Sequence, residues 1–194
     1  MLLVLGSFLF AVSLQAATIT YDFRDTLNTA EIESGTMLVD GLTLTIISTQ
    51  GSLNQTTSSF GINHTGGSAD ESALIDGDEG AETLQFSFDQ DVTITQLTLS
   101  SYTAGSESAT FTIDGFAAIN LSPLAAASDI YDFVTDNTLS TGNLALLTWV
   151  SGNGFSVDSI TVETMGIVVP EPSSIMLLGM SVIMLACYRS RKTK

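Results

Sequence analysis

Alternation between apolar and polar residues is the feature that most constrains the fold of this chain. In the longest example, ETLQFSFDQDVTITQLTLSS, the residues Leu84, Phe86 and Phe88 occupy every second position, and the alternation resumes after the polar triplet DQD. Because successive side chains of a β-strand point to opposite faces, a period of two indicates strands with one buried face. Together with shorter runs of the same kind, it predicts about nine strands.

Turn signals separate these runs. Asp40-Gly41 lies between TMLV and LTLTIIS, and an Asp-Gly pair between two β-prone runs is a strong hairpin signal. No amphipathic helical stretch lies between the runs, so a parallel βαβ architecture is not expected. The sequence predicts an all-β fold over residues 18–166, an antiparallel β-sandwich that is jelly-roll-like.

The charge distribution excludes several classes of partner. Residues 18–169 contain twenty Asp and Glu but a single Arg, which gives the segment a formal charge of −19. Such a surface repels nucleic acid and anionic lipid and attracts divalent cations or basic partners. The only cysteine, Cys187, lies in the C-terminal apolar run. The acidic segment can therefore form neither a disulfide framework nor a thiolate metal site.

Residues 1–17, MLLVLGSFLFAVSLQAA, are almost entirely apolar and end on small residues. This pattern predicts a secretory signal peptide, cleaved after Ala16 or Ala17 and exported through the Sec translocon. No basic residue precedes the apolar run, so either translation starts further upstream or the signal is atypical. A buried N-terminal helix is the alternative.

The C-terminal end combines a short apolar run with a basic tail. Residues 175–188 carry no charge and predict a transmembrane helix, although at 1.5 Å per residue it falls short of a hydrocarbon core of ~30 Å. The tail, residues 189–194, holds a basic cluster that should stay in the cytoplasm and leave the acidic domain on the far side of the membrane. Its members are Arg189, Arg191, Lys192 and Lys194.

Between the domain and the predicted helix lies a linker, residues 167–174, that contains Pro170, Glu171 and Pro172. Proline is excluded from a helix interior and keeps the preceding residue extended. The linker is therefore predicted to be a stiff, exposed segment of the kind that a protease can bind.

The order of these three features resembles the PEP-CTERM sorting signal, the substrate of exosortase-type membrane transpeptidases in Gram-negative bacteria. The resemblance covers residues 170–194. It implies that the precursor is retained in the inner membrane, is cut near the Pro-Glu-Pro motif, and passes to the cell surface or an exopolysaccharide matrix. A GPI-type signal would lack the basic stop. A permanent single-span anchor would usually be longer and would leave the C-terminus intact.

The domain itself is similar to a recurrent extracellular domain of PEP-CTERM proteins. The similarity rests on three segments, which read FGINHTGG, LIDGDEG and ETLQFSF in this chain. It implies a fold and an extracellular location but no established activity.

The densest polar stretch, SADESALIDGDEGAE, is a candidate calcium site because Ca²⁺ prefers carboxylate and carbonyl oxygens. It does not match an EF-hand, since Ala81 stands where the invariant glycine belongs. A solvated acidic loop is the alternative interpretation. The candidate ligands are Asp70, Glu71, Asp76, Asp78 and Glu79.

Catalytic signals are weak. His64 is the only histidine, and the chain has no G-x-S-x-G or H-E-x-x-H motif, so we expect no catalytic residue and no enzymatic activity. A secreted carbohydrate-active enzyme is the alternative. Tyr102, Tyr131 and Trp149 are candidate rings for stacking on sugars. Trp149 shares a strand face with Leu147, which favours a core position over an exposed one.

Overall fold

The computed structural model describes the central part of the chain and leaves both ends outside. The described residues are 16–24, 32–56, 60–63, 74–77, 80–102, 107–114, 116–124, 129–134 and 140–164. The predicted signal peptide except Ala16 and Ala17, the predicted linker, the apolar run and the basic tail therefore lie outside the described residues.

Within this part of the chain every regular element is a β-strand, and every strand pairing is antiparallel. The strands are β1 (Thr18–Asp22), β2 (Ser34–Val39), β3 (Leu42–Ser48), β4 (Ser52–Gln55), β5 (Phe60–Asn63), β6 (Thr83–Ser100), β7 (Ser108–Ile113), β8 (Ile119–Leu121), β9 (Asp129–Asp132), β10 (Ser140–Ser151) and β11 (Ser156–Thr164). The predicted all-β, antiparallel class is confirmed.

Strand β6 is the centre of the large sheet and has partners along both edges. In its first half, Phe86 pairs with Ala145 of β10 and with Ile46 of β3. Further on, Val92 lies between β10 and β11, and Leu97 lies between β9 and β11. One edge of β6 therefore carries β10 followed by β9, and the opposite edge carries β3 followed by β11.

The other strands extend the sheet outward from this centre. The main path runs β1-β11-β6-β10-β7-β8, and β2 lies beside β3. Strands β4 and β5 form a separate two-stranded sheet. The sheet therefore has β1 and β2 at the ends of two different branches.

The polar triplet DQD does not interrupt β6, which is one strand of 18 residues. Instead, β6 exchanges one partner for another there: Phe88 pairs with Leu44 of β3, and Val92 pairs with Thr164 of β11. Asp89 and Asp91, between these two pairs, are exposed. The acidic residues thus mark the exchange of partners and not a turn.

A bulge explains a shift in the hydrophobic pattern of β6. Buried apolar residues occupy even positions up to Ile94 and odd positions from Leu97 onward. The register with β11 skips Thr95, whose hydroxyl donates to the carbonyl oxygen of Thr161 at 3.2 Å. An extra residue in one strand moves all later side chains to the opposite face, so the shifted pattern keeps the apolar side chains inside.

The predicted hairpin at Asp40-Gly41 is confirmed. Val39 of β2 pairs with Leu42 of β3 across the two-residue turn. The φ angles of Asp40 and Gly41 are 49° and 84°, both positive as a type I′ turn requires. The local sequence alone is sufficient for this element, because Asp and Gly tolerate positive φ better than other residues.

Side chains from both halves of the sheet meet in one core. The Tyr21 hydroxyl of β1 donates to the carbonyl oxygen of Leu42 at 2.9 Å, and the Phe23 ring lies 5.9 Å from the Phe86 ring. On the other side, the ring of Phe111 in β7 stacks on Phe133 at 5.5 Å. Each such aromatic side chain, when fully buried, stabilises the fold by about 1.5–3 kcal/mol.

Candidate functional site

The residues of the predicted sorting signal lie outside the described residues, from Pro170 to Lys194. No helix in the part of the chain that the structure describes is long and apolar enough to cross a membrane. The prediction of a membrane-inserted sorting segment therefore stays a prediction.

The structure does describe where the domain begins and ends. The Ala17 N–H donates to the Thr164 hydroxyl at 3.3 Å, and the Thr164 N–H donates to the carbonyl oxygen of Ala17 at 3.0 Å. Strand β11 lies between β1 and β6, so the last strand is an interior member of the sheet. Both ends of the described domain therefore leave the fold at the same place, next to the predicted signal-peptide cleavage site.

Of the five candidate calcium ligands, only Asp76 is described; Asp70, Glu71, Asp78 and Glu79 lie outside. Two hydrogen bonds join Asp76 to Glu82. The Asp76 N–H donates to Glu82 Oε2 at 2.9 Å, and the Asp76 carbonyl oxygen accepts from the Glu82 N–H at 3.2 Å. Both side chains are buried. Glu82, the last residue of the acidic stretch but not one of the five candidate ligands, is thus hydrogen-bonded to Asp76.

The loop is further shaped by backbone bonds. Ile75 exchanges two backbone hydrogen bonds with Phe155, and the Gly80 N–H donates to the carbonyl oxygen of Gly77 at 3.2 Å. Within the described residues no three His, Cys, Asp or Glu side chains are grouped closely enough to hold a metal ion. Calcium binding by this loop stays a prediction.

Trp149 packs below this loop and against the core. It is partly buried, while Ala145 and Leu147 on the same face of β10 are fully buried. A Cβ atom added to Gly77 would lie 2.3 Å from Cη2 of the indole, so the loop covers the ring at close range. The indole N–H is buried and has no hydrogen-bond partner within the described residues. The ring is a partly covered core residue and not an open stacking platform.

The structure corrects the stacking prediction for the two tyrosines. Tyr102 and Tyr131 are only 5% and 7% exposed. Their hydroxyls donate to the carbonyl oxygens of Leu121 and Ser122 at 2.8 and 2.7 Å. Burial raises the pKa of Tyr102 to about 12 and also raises the pKa of Tyr131. Both rings are core residues. They are not stacking platforms, because a ring that stacks on a sugar must present a face to solvent.

A buried carboxylate near these tyrosines was not found by sequence reasoning. Asp129, at the start of β9, is 1% exposed, and its Oδ1 accepts a hydrogen bond from the Leu124 N–H. Burial raises the pKa of Asp129, because the charged form is poorly solvated there. The alternation in DIYDFV could have indicated it, since Asp129 shares a face with the apolar Tyr131 and Phe133.

We expect Asp129→Asn to raise the melting temperature at pH 7. A carboxylic acid whose pKa is raised in the folded state favours folding when protonated, and this contribution is lost as the pH rises through the raised pKa. Asparagine keeps an acceptor for the Leu124 N–H but carries no charge. The difference from the unmodified protein should shrink toward pH 4, near the ordinary Asp pKa of about 3.9.

Thermal unfolding at pH 7 and pH 4 measures this effect. Asp89→Asn is the matched control, because Asp89 is exposed on β6 and the same change there should alter the melting temperature little. A lower melting temperature for Asp129→Asn at pH 7 would show that the charged form stabilises the fold.

The outer faces of the sheet are lined by hydroxyls and carboxylates. Cross-strand hydroxyl pairs lie at 2.8–3.0 Å, and they are Thr20–Thr161, Thr83–Thr148, Thr93–Thr141 and Ser108–Ser151. The described residues include thirteen Asp and Glu and one Arg, Arg24, which forms an ion pair with Asp22 at 2.7 Å. The hydrogen bond that the Arg24 side chain donates to Asp22 lowers the pKa of Asp22. Such a surface is strongly hydrated and anionic.

Comparison with known proteins assigns no family to the chain. No protein-family model matches it, and no curated protein matches it. The resemblance to PEP-CTERM proteins therefore rests on residues of the chain itself, above all Pro170, Glu171 and Pro172.

Proposed function

We propose that this chain is an exported bacterial PEP-CTERM protein. In this proposal the N-terminal segment directs export, the C-terminal segment holds the precursor in the inner membrane, and an exosortase-type transpeptidase cuts near Glu171. The product is transferred to the cell surface or the exopolysaccharide matrix. The observation that carries the proposal is the order of the Pro-Glu-Pro motif, the uncharged run and the basic cluster at the C-terminal end.

The end of the folded domain supports this division of the chain. Strand β11 ends at Thr164, and five residues separate it from Pro170. Fully extended, five residues span at most about 18 Å, at 3.3–3.6 Å per residue. The transpeptidase would therefore act on a motif close to a folded, acidic domain.

We further propose that the domain is a β-sandwich of jelly-roll type. Two features favour this over an open sheet. Strand β6 exchanges partners in its middle, and one core contains both the Phe23–Phe86 contact, just after β1, and the stack of Phe111 in β7 on Phe133. A long strand shared by two packed layers is one way in which an antiparallel sheet covers its own apolar face.

The mature domain would act as a structural or binding component of the envelope or matrix and not as an enzyme. Its hydroxyl-rich, acidic outer faces suit a hydrated polysaccharide environment and offer oxygen ligands to calcium. Glycan and calcium are the candidate ligands. The proposal assigns no catalytic role to any residue of the domain.

Intact mass spectrometry of the protein recovered from outside the cell tests the sorting proposal. We expect an N-terminus at Ala17 or Thr18 and a C-terminus near Pro170–Pro172, because both membrane segments are removed. A recovered protein that still contains Arg189 and the residues after it would contradict the proposal and indicate a permanent anchor. A protein that retains residues 1–15 would contradict the signal-peptide assignment.

A further inference from the structure

The outer edge of β2 carries backbone groups that can pair with another strand. Among the described strands, β2 pairs only with β3. Val39 and Leu42 flank a two-residue turn, and residues in that position form a hydrogen-bonded pair. Odd-numbered residues of β2 therefore direct their N–H and C=O groups toward β3. Even-numbered residues, Ser34, Thr36 and Leu38, direct theirs outward.

Ile32, two residues before the start of β2, agrees with this direction. Ile32 is even-numbered, and it exchanges backbone hydrogen bonds with Leu53 of β4, at 3.2 and 2.6 Å. The edge thus accepts a strand at one end. Strand β1 comes close to β2 but pairs with β11. No described residue bonds to the outward backbone groups from Ser34 to Leu38.

This edge lacks the devices by which proteins usually block strand addition. Native edge strands carry charges, prolines or bulges that prevent pairing with another chain. Strand β2, SGTMLV, contains no charged residue and no proline, and its register with β3 has no bulge. The Leu38 side chain is 70% exposed, the highest value among the large apolar side chains of the described residues.

Acidic residues flank both ends of β2. Glu33 and Asp40 flank the strand. If two copies paired through Ser34–Leu38 in antiparallel register, Glu33 of one copy would lie near Asp40 of the other at both ends. Like charges at such close cross-strand positions are destabilising. A segment with Lys or Arg at its ends would instead meet opposite charge at both.

We propose that the outer edge of β2 binds an extended segment of another protein as an added β-strand. The segment would be short, rich in β-branched residues and flanked by Lys or Arg. Backbone hydrogen bonds with Ser34, Thr36 and Leu38 would supply affinity, and Glu33 and Asp40 would select the basic ends. The inference does not depend on the sorting proposal.

Fluorescence anisotropy with two synthetic peptides tests the charge requirement. Both have the centre Thr-Val-Thr-Val-Thr; one has Lys-Lys at each end and the other Glu-Glu. With purified full-length protein in mild detergent, we expect the Lys-ended peptide to bind at least about tenfold more tightly. Equal affinity, or no binding of the Lys-ended peptide, would overturn the proposal.

A substitution at Thr36 tests the edge itself. Thr36→Pro removes an outward N–H and leaves the hydrogen bonds to β3 intact, so the Lys-ended peptide should bind at least about tenfold more weakly. Thr36→Ala keeps the N–H and is the matched control, with unchanged affinity expected. Unchanged binding by a folded Thr36→Pro variant would show that the peptide binds elsewhere.

Hydrogen exchange on the unmodified protein keeps the proposal testable if the proline variant does not fold. In the free protein the amides of Gly35, Met37 and Val39 should be protected and those of Ser34, Thr36 and Leu38 should exchange rapidly. The Lys-ended peptide should protect the second set. In the free protein, the amides of Ser34, Thr36 and Leu38 could instead become more protected as the protein concentration rises. That result would show that the edge pairs with a second copy, and it would overturn the proposal.

Discussion

Glu171→Gln is expected to leave the precursor uncut and to lower the amount released from the membrane by more than about tenfold. A carboxylate recognised in a closed enzyme site leaves its partner unpaired when it is replaced, which costs about 2–5 kcal/mol. The substitution keeps Pro170 and Pro172, so the stiffness of the segment is unchanged. Immunoblots of membrane and extracellular fractions measure the ratio of full-length to cut protein.

Glu163→Gln is the matched control for this experiment. Glu163 is exposed on β11 and lies eight residues before Glu171, so the same chemical change falls just inside the folded domain. Its release should equal that of the unmodified protein. Normal release of the Glu171→Gln protein would show that the motif carboxylate is not recognised, and the sorting proposal would lose its main support.

The second large effect is expected for Gly154→Ala, which should lower the free energy of unfolding by about 3 kcal/mol. Gly154 has a φ of 101°, a conformation that L-residues rarely adopt. A Cβ atom there would lie 2.7 Å from Cβ of Asp76 and 3.2 Å from the carbonyl oxygen of Ile75. Backbone strain and a clash with the base of the acidic loop therefore add together.

Trp149 fluorescence during denaturant unfolding measures the loss, because the chain has a single tryptophan and it packs beside this loop. Gly41→Ala is the control. Gly41 also has a positive φ, 84°, but a Cβ atom added there would have no neighbour within 4 Å. Strain alone should cost about 1–2 kcal/mol. An equal loss in the two variants would show that the contact with Asp76 contributes nothing.

Local pattern was sufficient for most of the strands and for one turn, but it predicted about nine strands where the described residues form eleven, and it missed the short strands β4 and β5. The alternation around Phe86 and the Asp40-Gly41 pair each involve only a few consecutive residues. The strand and the turn that they form can therefore be predicted without knowing which strands pair with them. The stacking prediction for Tyr102 and Tyr131 was wrong because amphipathic rings occur in cores and on surfaces alike. Which of the two applies depends on the partner strands: β8 and the residues after it supply carbonyl oxygens to both hydroxyls.

The candidate site residues likewise fall into two groups, those that the sequence names and those that only the structure identifies. The proposed sorting motif is a short linear pattern, so the sequence alone names its residues, and an experiment in cells is needed to test it. Glu82 and Asp129 were not selected among the twenty acidic residues of the domain. The alternation in DIYDFV places Asp129 on the apolar face of its strand, but residue type and spacing do not show which carboxylates the fold buries. Whether an edge of β2 is open likewise depends on which strands lie beside it.

From the sequence alone follow the β-rich class and the hairpin register, whereas the division of the chain into export segment, acidic domain and sorting segment stays a prediction. These depend on residue type and spacing over short distances. The tertiary structure alone decided the partners of β6, the burial of the two tyrosines and Asp129, and the edge of β2 that no described strand pairs with. Those features arise from pairing between strands far apart in the chain, which many alternating segments could satisfy equally well until the core selects one arrangement.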